Sequence, residues 1–351
     1  MSYKKWTKYF LAITLFAISI FGLFNYTIDP LWTFCHSNRY NNAQVGFNER
    51  QQKTNRAYFC GLNKYDSLLL GSSRVTYINQ QDFKGLKVFN YASVSMYPVE
   101  YKQWIDVAKK IKKDDFKTII IGMDFWGSSD GTFAKKQMKN TPKASTYLDT
   151  ASSFLYRYKM LFSMDTYKKS IESIKHSKSL GTTDYTRDNI KLTIRISKSR
   201  KQQAVNTQIN LYNNAFYGKG YHFNKKLKKY FKKLKNDNPN SKFIIFTTPI
   251  SADLFKLLVK NGNIKDYKRW LLTLVDSFSE VYNFMGFNTI TNNPNNYADL
   301  HHFYPPIGTL IAKRIVGIKD NSLPKDFGIK LNKDNLKGYF KALDKEIKNI
   351  K

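Results

Sequence analysis

The sequence predicts an α/β fold in which short parallel strands alternate with helices, preceded by one apolar helix at the N-terminus. Two observations predict it. Short continuous apolar runs alternate with amphipathic stretches along the chain, and a longer apolar run directly follows a basic N-terminal tip. Short apolar strands separated by helices are typical of a parallel sheet covered on both faces by helices. A chain of 351 residues is long enough to bury such a core.

The N-terminal apolar run predicts a membrane anchor. Residues 1–8 form a basic tip with three lysines, and residues 10–24 are apolar with few interruptions. The predicted membrane helix, residues 9–26, approaches the roughly 20 residues that cross a bilayer. A cleavable signal peptide is the alternative, but residues 25–30 lack the small residues of a cleavage site. We therefore expect a single-pass anchor with a cytoplasmic N-terminus and an extracytoplasmic domain, because basic residues stay on the cytoplasmic side.

Composition and charge narrow the class of partner. Hydrophobic residues at 42% and aromatic residues at 16% exclude a disordered chain. The formal charge of +32 comes mainly from lysine and implies an anionic neighbour, such as lipid headgroups or an acidic envelope polymer. Nucleic acid is not expected, because the lysines are spread along the whole chain instead of being concentrated with arginine and aromatic residues on one element.

The two cysteines, Cys35 and Cys60, do not have a metal-binding spacing. Outside the cytoplasm a disulfide between them is compatible with the sequence, and so are two unpaired structural cysteines.

The predicted elements follow from apolar patterning. Strands are expected at residues 67–70, 86–90, 118–121 and 243–246, with a weaker one at 281–284, and helices at 98–112, 271–278 and 307–318.

The same patterning divides the chain. Residues 27–63 are expected to be a polar, irregular connector, and 64–322 the α/β domain. Within that domain, residues 126–221 break the alternation and predict a large insertion, such as a helical cap. The Lys-rich tail, residues 323–351, is expected to be peripheral.

The first candidate site follows the strand at 67–70. Ligands bind beyond the carboxyl ends of strands in open α/β sheets. The chain passes from that strand directly into Gly71, Ser72 and Ser73. Glycine permits a tight turn, so Ser73 can be presented at the sheet edge beside free backbone N–H groups, which is what a nucleophile with an oxyanion hole requires. The alternative is an ordinary turn with a capping serine.

The second candidate site follows the last predicted strand. Asp299 and His302 lie three residues apart, so both side chains can face one point on a turn. His302 could then act as general base on Ser73, with Asp299 orienting it. A surface loop with a capping Asp299 is one alternative. A metal bound by Asp299, His301 and His302 is another, but no further motif such as His-Glu-x-x-His accompanies them. We predict no metal and no other cofactor.

A second serine motif, residues 127–131, fits the pattern G-x-S-x-G. That motif requires the serine on a sharp turn between a strand and a helix. Here residues 122–126 separate it from the strand and a polar stretch follows, so we interpret it as a flexible loop.

The strand-Gly-Ser-Ser start and the Asp-x-x-His-Phe finish resemble the SGNH (GDSL-like) hydrolase superfamily, over residues 65–318. More narrowly, the chain resembles its membrane-anchored members that serve cell-envelope acylation. The resemblance implies a flavodoxin-like parallel sheet. It also implies Ser73 as the nucleophile, His302 as the general base and Asp299 as the residue that orients His302.

The family's second block matches Asn90, Ala92 and Ser93, where backbone N–H groups near Ala92 or Ser93 could hold the oxyanion. Its third block matches residues 122–125, where Gly-Met-Asp-Phe replaces the usual Gly-x-Asn-Asp, so the side-chain amide of the oxyanion hole is missing. Losing one such donor can cost about 2.7–4 kcal/mol of transition-state stabilisation.

Three other positions near these blocks also bear on the site. The usual aspartate before the nucleophile is replaced by Ser72. Asp124 is expected to be either a structural cap or a site residue. Arg74 could contact an anionic substrate, although a surface position is the default for arginine.

The resemblance implies an extracytoplasmic serine esterase or O-acyltransferase that acts on acyl esters, acetyl above all, of a cell-envelope glycan or polymer. The expected partners are the membrane, an anionic envelope polymer and a membrane-bound acyltransferase. The alternative is a catalytically inactive binding or assembly protein that keeps the same fold, which the missing amide favours.

Overall fold

The computed structural model describes residues 2–349, which form two compact units. Unit 1 contains the chain up to Gly61 together with Ser145–Ile194, and unit 2 contains Leu62–Ala144 and the chain from Arg195 onward.

The helices are, in chain order, α1 (Tyr3–Ile28), α2 (Glu49–Cys60), α3 (Tyr101–Lys112), α4 (Thr132–Asn140), α5 (Ala144–Ser152), α6 (Tyr156–Leu161), α7 (Met164–Lys178), α8 (Lys198–Leu211), α9 (Leu227–Asn236), α10 (Ala252–Lys260), α11 (Ile264–Phe278), α12 (Pro305–Val316) and α13 (Leu336–Lys348). The strands are β1 (Ala43–Gln44), β2 (Ser67–Leu70), β3 (Val88–Asn90), β4 (Thr118–Met123), β5 (Thr183–Thr186), β6 (Lys191–Thr193), β7 (Lys242–Thr247), β8 (Val281–Asn283) and β9 (Ile329–Leu331).

Unit 2 is built on a six-stranded sheet with the order β3-β2-β4-β7-β8-β9. All neighbours are parallel except β8 and β9, which are antiparallel. The prediction of a mainly parallel α/β sheet is therefore confirmed. The predicted strands all lie in this sheet, with β3 and β8 shorter than expected. The edge strand β9 was not predicted, because it is short and lies in the Lys-rich tail.

Helices cover both faces of this sheet. Phe246 of β7 belongs to a buried cluster with Ile307 and Ile311 of α12. Phe243 of the same strand contacts Phe278 of α11, with ring centroids 5.7 Å apart. Successive side chains of a strand point to opposite faces, and positions 243 and 246 differ in parity. Helices α12 and α11 therefore pack on opposite faces. Because β2, β3, β4, β7 and β8 are parallel, the loops that follow them lie at one edge of the sheet.

Unit 1 contains α1 and a three-stranded antiparallel sheet with the order β1-β5-β6. Helix α1 has 26 residues and a mean hydropathy of 1.9 over its most apolar stretch, so it is long and apolar enough to cross a membrane. A disulfide joins Cys35 to Cys60.

The boundaries of unit 1 differ from those that the sequence predicts. The predicted connector, residues 27–63, contains β1 and α2. The predicted insertion, residues 126–221, is divided, because its middle part folds with unit 1. Helix α2 was missed since its buried side chains are mostly polar, among them Gln52, Lys53 and Asn55, so it lacks apolar periodicity.

Candidate active site

The turn that carries Ser73 depends on glycine. Gly71 follows β2 with a φ of +152°, a conformation that side chains rarely adopt. A Cβ at Gly71 would lie 2.3 Å from Val75 Cγ2 and 3.0 Å from the Gly122 carbonyl oxygen. Without that Cβ, the chain can turn sharply from β2 into the 3₁₀ turn Val75–Tyr77. The turn leaves Ser73 partly exposed beyond the carboxyl end of β2.

The two backbone polar groups of Ser73 differ in whether they are hydrogen-bonded. Both the N–H and the Oγ1 of Thr76 donate to the Ser73 carbonyl oxygen. The Ser73 N–H has no acceptor among residues 2–349. An unpaired N–H beside a partly exposed hydroxyl can donate to an oxyanion that forms when the hydroxyl attacks a carbonyl carbon.

The second half of the site is a tight loop before α12. The loop is closed by a bridge between Tyr297 and Phe303 and by a hydrogen bond from Ala298 N–H to the His302 carbonyl oxygen. Asp299 Oδ1 accepts the N–H groups of His301 and His302, at 2.8 and 2.6 Å. Aspartate is well suited to this role because its short side chain bonds its own backbone a few residues on.

The structure brings Ser73, His302 and Asp299 together in one hydrogen-bonded chain. Ser73 Oγ lies 3.0 Å from His302 Nε2, and His302 Nδ1 lies 2.6 Å from Asp299 Oδ2. The Tyr77 ring packs beside the imidazole, with centroids 5.5 Å apart. Asp299 thus uses one oxygen to shape the loop and the other to orient His302. This geometry allows His302 to take the Ser73 proton.

The neighbours of Asp299 keep its carboxyl group ionised. Burial alone would raise the pKa of its carboxyl group. Electrostatic interactions with His301 and His302 and the hydrogen bonds from His302 outweigh burial, and they hold the pKa of Asp299 well below its usual range. Asp299 is therefore ionised at neutral pH and can stabilise a protonated His302.

Arg74 is a buried part of the site, so the default expectation of a surface arginine is wrong. Only 2% of Arg74 is exposed. Its Nη1 donates to Asp124 Oδ1 at 2.8 Å and to Thr248 Oγ1 at 3.2 Å, and its Nη2 donates to the Tyr212 hydroxyl. Tyr212 in turn lies 3.3 Å from His301 Nδ1. A buried polar network thus links the residue after the nucleophile to the residue before the base.

The network fixes the ionisation of two of its members. Burial alone would lower the pKa of Arg74, but the nearby Tyr212 and Asp124 outweigh it and the pKa of Arg74 is raised. Burial and the electrostatic interaction with His302 lower the pKa of His301 well below its usual range. His301 is therefore neutral beside Tyr212, and the positive charge of this region stays on Arg74.

Asp124 does not act as a helix cap. It occupies the N-cap position of the 3₁₀ turn Phe125–Ser128 but makes no side-chain capping hydrogen bond. Its Oδ1 accepts both Arg74 and Thr248. Its Oδ2 is buried and has no hydrogen-bond partner in the described part of the chain. Asp124 therefore belongs to the network beneath the site.

The expected oxyanion donors after β3 are already engaged. The Ala92 N–H donates to Asn90 Oδ1 at 3.1 Å, and the Ser93 N–H donates to the Gly71 carbonyl oxygen at 3.1 Å. The Asn90 amide donates to the carbonyl oxygens of Val75 and Ile78, so Asn90 ties the nucleophile turn to β3. Ser93 Oγ is buried without a partner within residues 2–349.

Asp299, His301 and His302 also form a group with metal-ligand chemistry, since their ligand atoms lie within 4.8 Å of one another. Both ring nitrogens of His302 are hydrogen-bonded, to Ser73 and to Asp299. A metal bound through His302 would therefore have to displace either Ser73 or Asp299 from the ring.

The G-x-S-x-G motif lies apart from this chemistry. Ser128 Oγ donates to the Phe125 carbonyl oxygen, and Ser129 Oγ accepts the N–H groups of Gly131 and His222. Both serines are buried, and their hydroxyl groups hold the local backbone.

Sequence reasoning missed Tyr212 and Thr248. Thr248 directly follows β7, so the rule that sites gather at the carboxyl ends of parallel strands could have found it. Tyr212 begins a π-helical turn after α8, and no local pattern marks it.

No model of a known protein family matches the chain. No curated protein matches it either.

Proposed function

We propose that this chain is an extracytoplasmic serine esterase or O-acyltransferase, similar in site and in its flavodoxin-like sheet to the SGNH hydrolases. It would act on acyl esters, acetyl above all, of a cell-envelope glycan or polymer. The observation that carries the proposal is the hydrogen-bonded chain from Ser73 Oγ through His302 to Asp299.

The proposed reaction proceeds through an acyl-enzyme. Ser73 Oγ attacks the ester carbonyl carbon while His302 Nε2 takes its proton, and the carbonyl oxygen becomes an oxyanion. The tetrahedral intermediate collapses, and the leaving alcohol takes the proton from His302. Water or an acceptor hydroxyl then gives a proton to His302 and attacks the acyl carbonyl carbon. The second tetrahedral intermediate collapses and releases the acid or the new ester, and the proton on His302 returns to the Ser73 oxygen.

The oxyanion would be held by few donors. The first candidate donor is the Ser73 N–H, which has no acceptor among the described residues. The buried Ser93 hydroxyl is the second candidate, because it has no partner among the described residues. The N–H of the same residue donates to the Gly71 carbonyl oxygen, which keeps Ser93 beside the nucleophile turn. An oxyanion hole with few donors predicts a slower enzyme than one with a complete oxyanion hole.

The proposed location rests on unit 1 and on charge. Helix α1 would anchor the chain with its basic tip in the cytoplasm. The Cys35–Cys60 disulfide supports an oxidising compartment for the rest. The charge of +32 favours an anionic envelope polymer as substrate. A membrane-bound acyltransferase is a fitting partner, since it would supply or receive the acyl group at the same membrane.

The proposal is tested with the full chain in nanodiscs and a chromogenic acetyl ester. We expect hydrolysis that falls to background in Ser73→Ala. The matched control is Ser129→Ala, which removes the serine of the G-x-S-x-G motif and should keep the activity. Activity that survives Ser73→Ala would contradict the proposal.

A second candidate function is a catalytically inactive binding or assembly protein for envelope polysaccharide modification. The engaged N–H groups of Ala92 and Ser93 favour it, because they leave the oxyanion hole with few donors. It predicts a wild-type chain that is inert toward the ester and whose Ser73→Ala variant still supports polymer modification in cells.

A further inference from the structure

Unit 1 exposes a group of large apolar side chains between α5 and α7. In residues 153–164, which we call the interfacial segment, Phe154 is 81% exposed and Met164 is 59% exposed. Leu155, Tyr158 and Phe162 are exposed as well. Contiguous exposed apolar side chains mark a surface that another phase or molecule covers.

The interfacial segment packs directly on α1. A Cβ at Gly22 would lie 2.8 Å from a ring carbon of Phe162, so the glycine makes room for that ring. Asn25 is buried, its amide donates to the Leu161 carbonyl oxygen at 2.8 Å, and its Oδ1 accepts the Ser170 hydroxyl at 2.9 Å. The first bond fixes the segment, and the second fixes α7, against the last turns of the apolar helix.

Helix α7 runs alongside α1 in the same direction. Near its start, Tyr167 contacts Phe21 with ring centroids 5.4 Å apart. Further along, Ile174 lines the same apolar cavity as Ile28. The Met164 end of α7 is therefore level with the apolar part of α1, and its other end lies beyond the end of α1.

The length of α1 sets the depth of this contact. A hydrocarbon core of about 30 Å takes roughly 20 helical residues. The basic tip lies outside the hydrocarbon core, on its cytoplasmic side. The core then begins near residue 9 and ends between residues 26 and 28. Gly22 then lies roughly 6–9 Å inside the far boundary of the core. Its contact Phe162 lies at the same depth.

We propose that the interfacial segment is a second membrane contact, which inserts its apolar side chains into the lipid at the outer boundary of the bilayer that α1 crosses. The inference rests on the proposed anchor. Aromatic residues favour this boundary, and a surface-lying segment buries its apolar face about 5–10 Å deep. The exposed Lys159 and Lys168 can reach anionic headgroups while their stems cover apolar surface.

The experiment uses the full chain with one introduced cysteine at a time. The chain has two cysteines, which form the disulfide, so a maleimide dye reacts only with the new one. Phe154→Cys and Met164→Cys test the segment. Leu15→Cys, in the middle of α1, tests the anchor. Lys178→Cys is the matched control, because it lies on α7 about 21 Å from Met164.

Each variant carries an environment-sensitive NBD dye in nanodiscs of phosphatidylcholine and phosphatidylglycerol, with or without brominated lipids. We expect blue-shifted emission and quenching at positions 154 and 164, by bromines nearer the headgroups than those that quench position 15. Position 15 should be quenched most by deep bromines, and position 178 should not be quenched.

Two results would overturn the inference, and they can be told apart. If position 15 is quenched but positions 154 and 164 behave like 178, the anchor stands and something other than lipid, such as a protein partner, covers the segment. If position 15 is not quenched, the anchor itself fails and the inference fails with it.

Discussion

Each unit contains a buried arginine–aspartate pair, and the two pairs differ in what else they bind. In unit 1, both oxygens of Asp29 are used. Oδ1 accepts the N–H of Thr33 at 2.8 Å, and Oδ2 accepts the N–H of Phe34 at 3.1 Å as well as Arg187 Nη2. In unit 2, only Oδ1 of Asp124 has partners within residues 2–349.

The arginines differ in the same sense. Arg187 donates to the backbone carbonyl oxygens of Asp29 and His36, so it holds the chain that leaves α1. Within the described residues, Arg74 donates to side chains alone, those of Asp124, Thr248 and Tyr212. A saturated pair that binds backbone is architectural, whereas a pair that orients side chains and leaves one buried oxygen unpaired is typical of a functional site.

The largest expected effect is on activity, at Asp299, the aspartate that orients His302 in the proposed reaction. Asp299→Asn keeps the size of the side chain but can hold His302 in the wrong tautomer. We expect the rate of ester hydrolysis to fall about 10⁴-fold, as in other serine triads. Circular dichroism should show an unchanged fold. A variant with nearly wild-type activity would show that Asp299 only shapes the loop.

The same variant has a predictable pH dependence. The pKa of Asp299 is below its unfolded value, so its stabilisation is present above about pH 4 and is lost as the pH falls further. The difference in unfolding free energy between wild type and Asp299→Asn should therefore shrink below about pH 4. A difference that grows toward acid pH would contradict the assigned charge.

Asp29→Ala tests the architectural pair. It leaves Arg187 buried without its partner and frees two backbone N–H groups, so we expect a loss of about 3–5 kcal/mol in unfolding free energy, measured by urea titration. Asp29→Asn, the matched control, keeps the hydrogen-bond acceptor and should lose less. A loss below about 1 kcal/mol in Asp29→Ala, within the range of an exposed pair, would remove the distinction between the two pairs.

Replacing both members of a pair separates stability from function. Arg74→Met with Asp124→Leu should leave the unfolding free energy unchanged or raise it by about 1–4 kcal/mol, because no buried charge remains. Ester hydrolysis should be lost, since Tyr212 and Thr248 lose their partner. The matched double variant, Asp29→Leu with Arg187→Met, should be destabilised because it strips hydrogen bonds from backbone groups. Equal changes in unfolding free energy in the two double variants would contradict the distinction between the two pairs.

The smallest effect, a slope of unfolding free energy with pH, concerns a buried cation outside either pair. Burial lowers the pKa of Lys53 to about 7, although Glu49 opposes the shift and Lys191 adds to it. The unfolded chain keeps this proton up to about pH 10, so stability should rise between pH 7 and pH 10, by at most about 1.4 kcal/mol per pH unit. Lys53→Met should reduce this slope and stabilise the chain below pH 7.

Urea titrations at several pH values between 6 and 10 measure that slope. The matched control is Lys178→Met at an exposed position, which should leave the slope unchanged. An equal slope in wild type and Lys53→Met would contradict the lowered pKa of Lys53.

The sequence predicted the proposed triad because its signals are local. Ser73 follows an apolar strand through a glycine, and Asp299 and His302 lie within one short loop. Parallel strands bring such loops to one edge, so spatial proximity followed from the strand assignment. The sheet itself was predicted because its inner strands are continuous apolar runs.

The rest depends on long-range contacts that no local pattern shows. Arg74 is buried because Asp124 and Tyr212, 50 and 138 residues away, receive its guanidinium. Helix α2 and strands β5 and β6 are polar, so they were assigned to a connector and an insertion. Their burial comes from buried ion pairs, such as that between Lys191 and Glu49, and not from apolar periodicity.

The most direct test of the central claim is to identify the residue that reacts with a fluorophosphonate probe. The full chain in nanodiscs is labelled, digested and examined by mass spectrometry. We predict one modified peptide, with the label on Ser73, and strongly reduced labelling in His302→Ala, because the hydroxyl loses its base. A label on any other serine, or no label on a chain that hydrolyses the ester, would contradict Ser73 as the nucleophile.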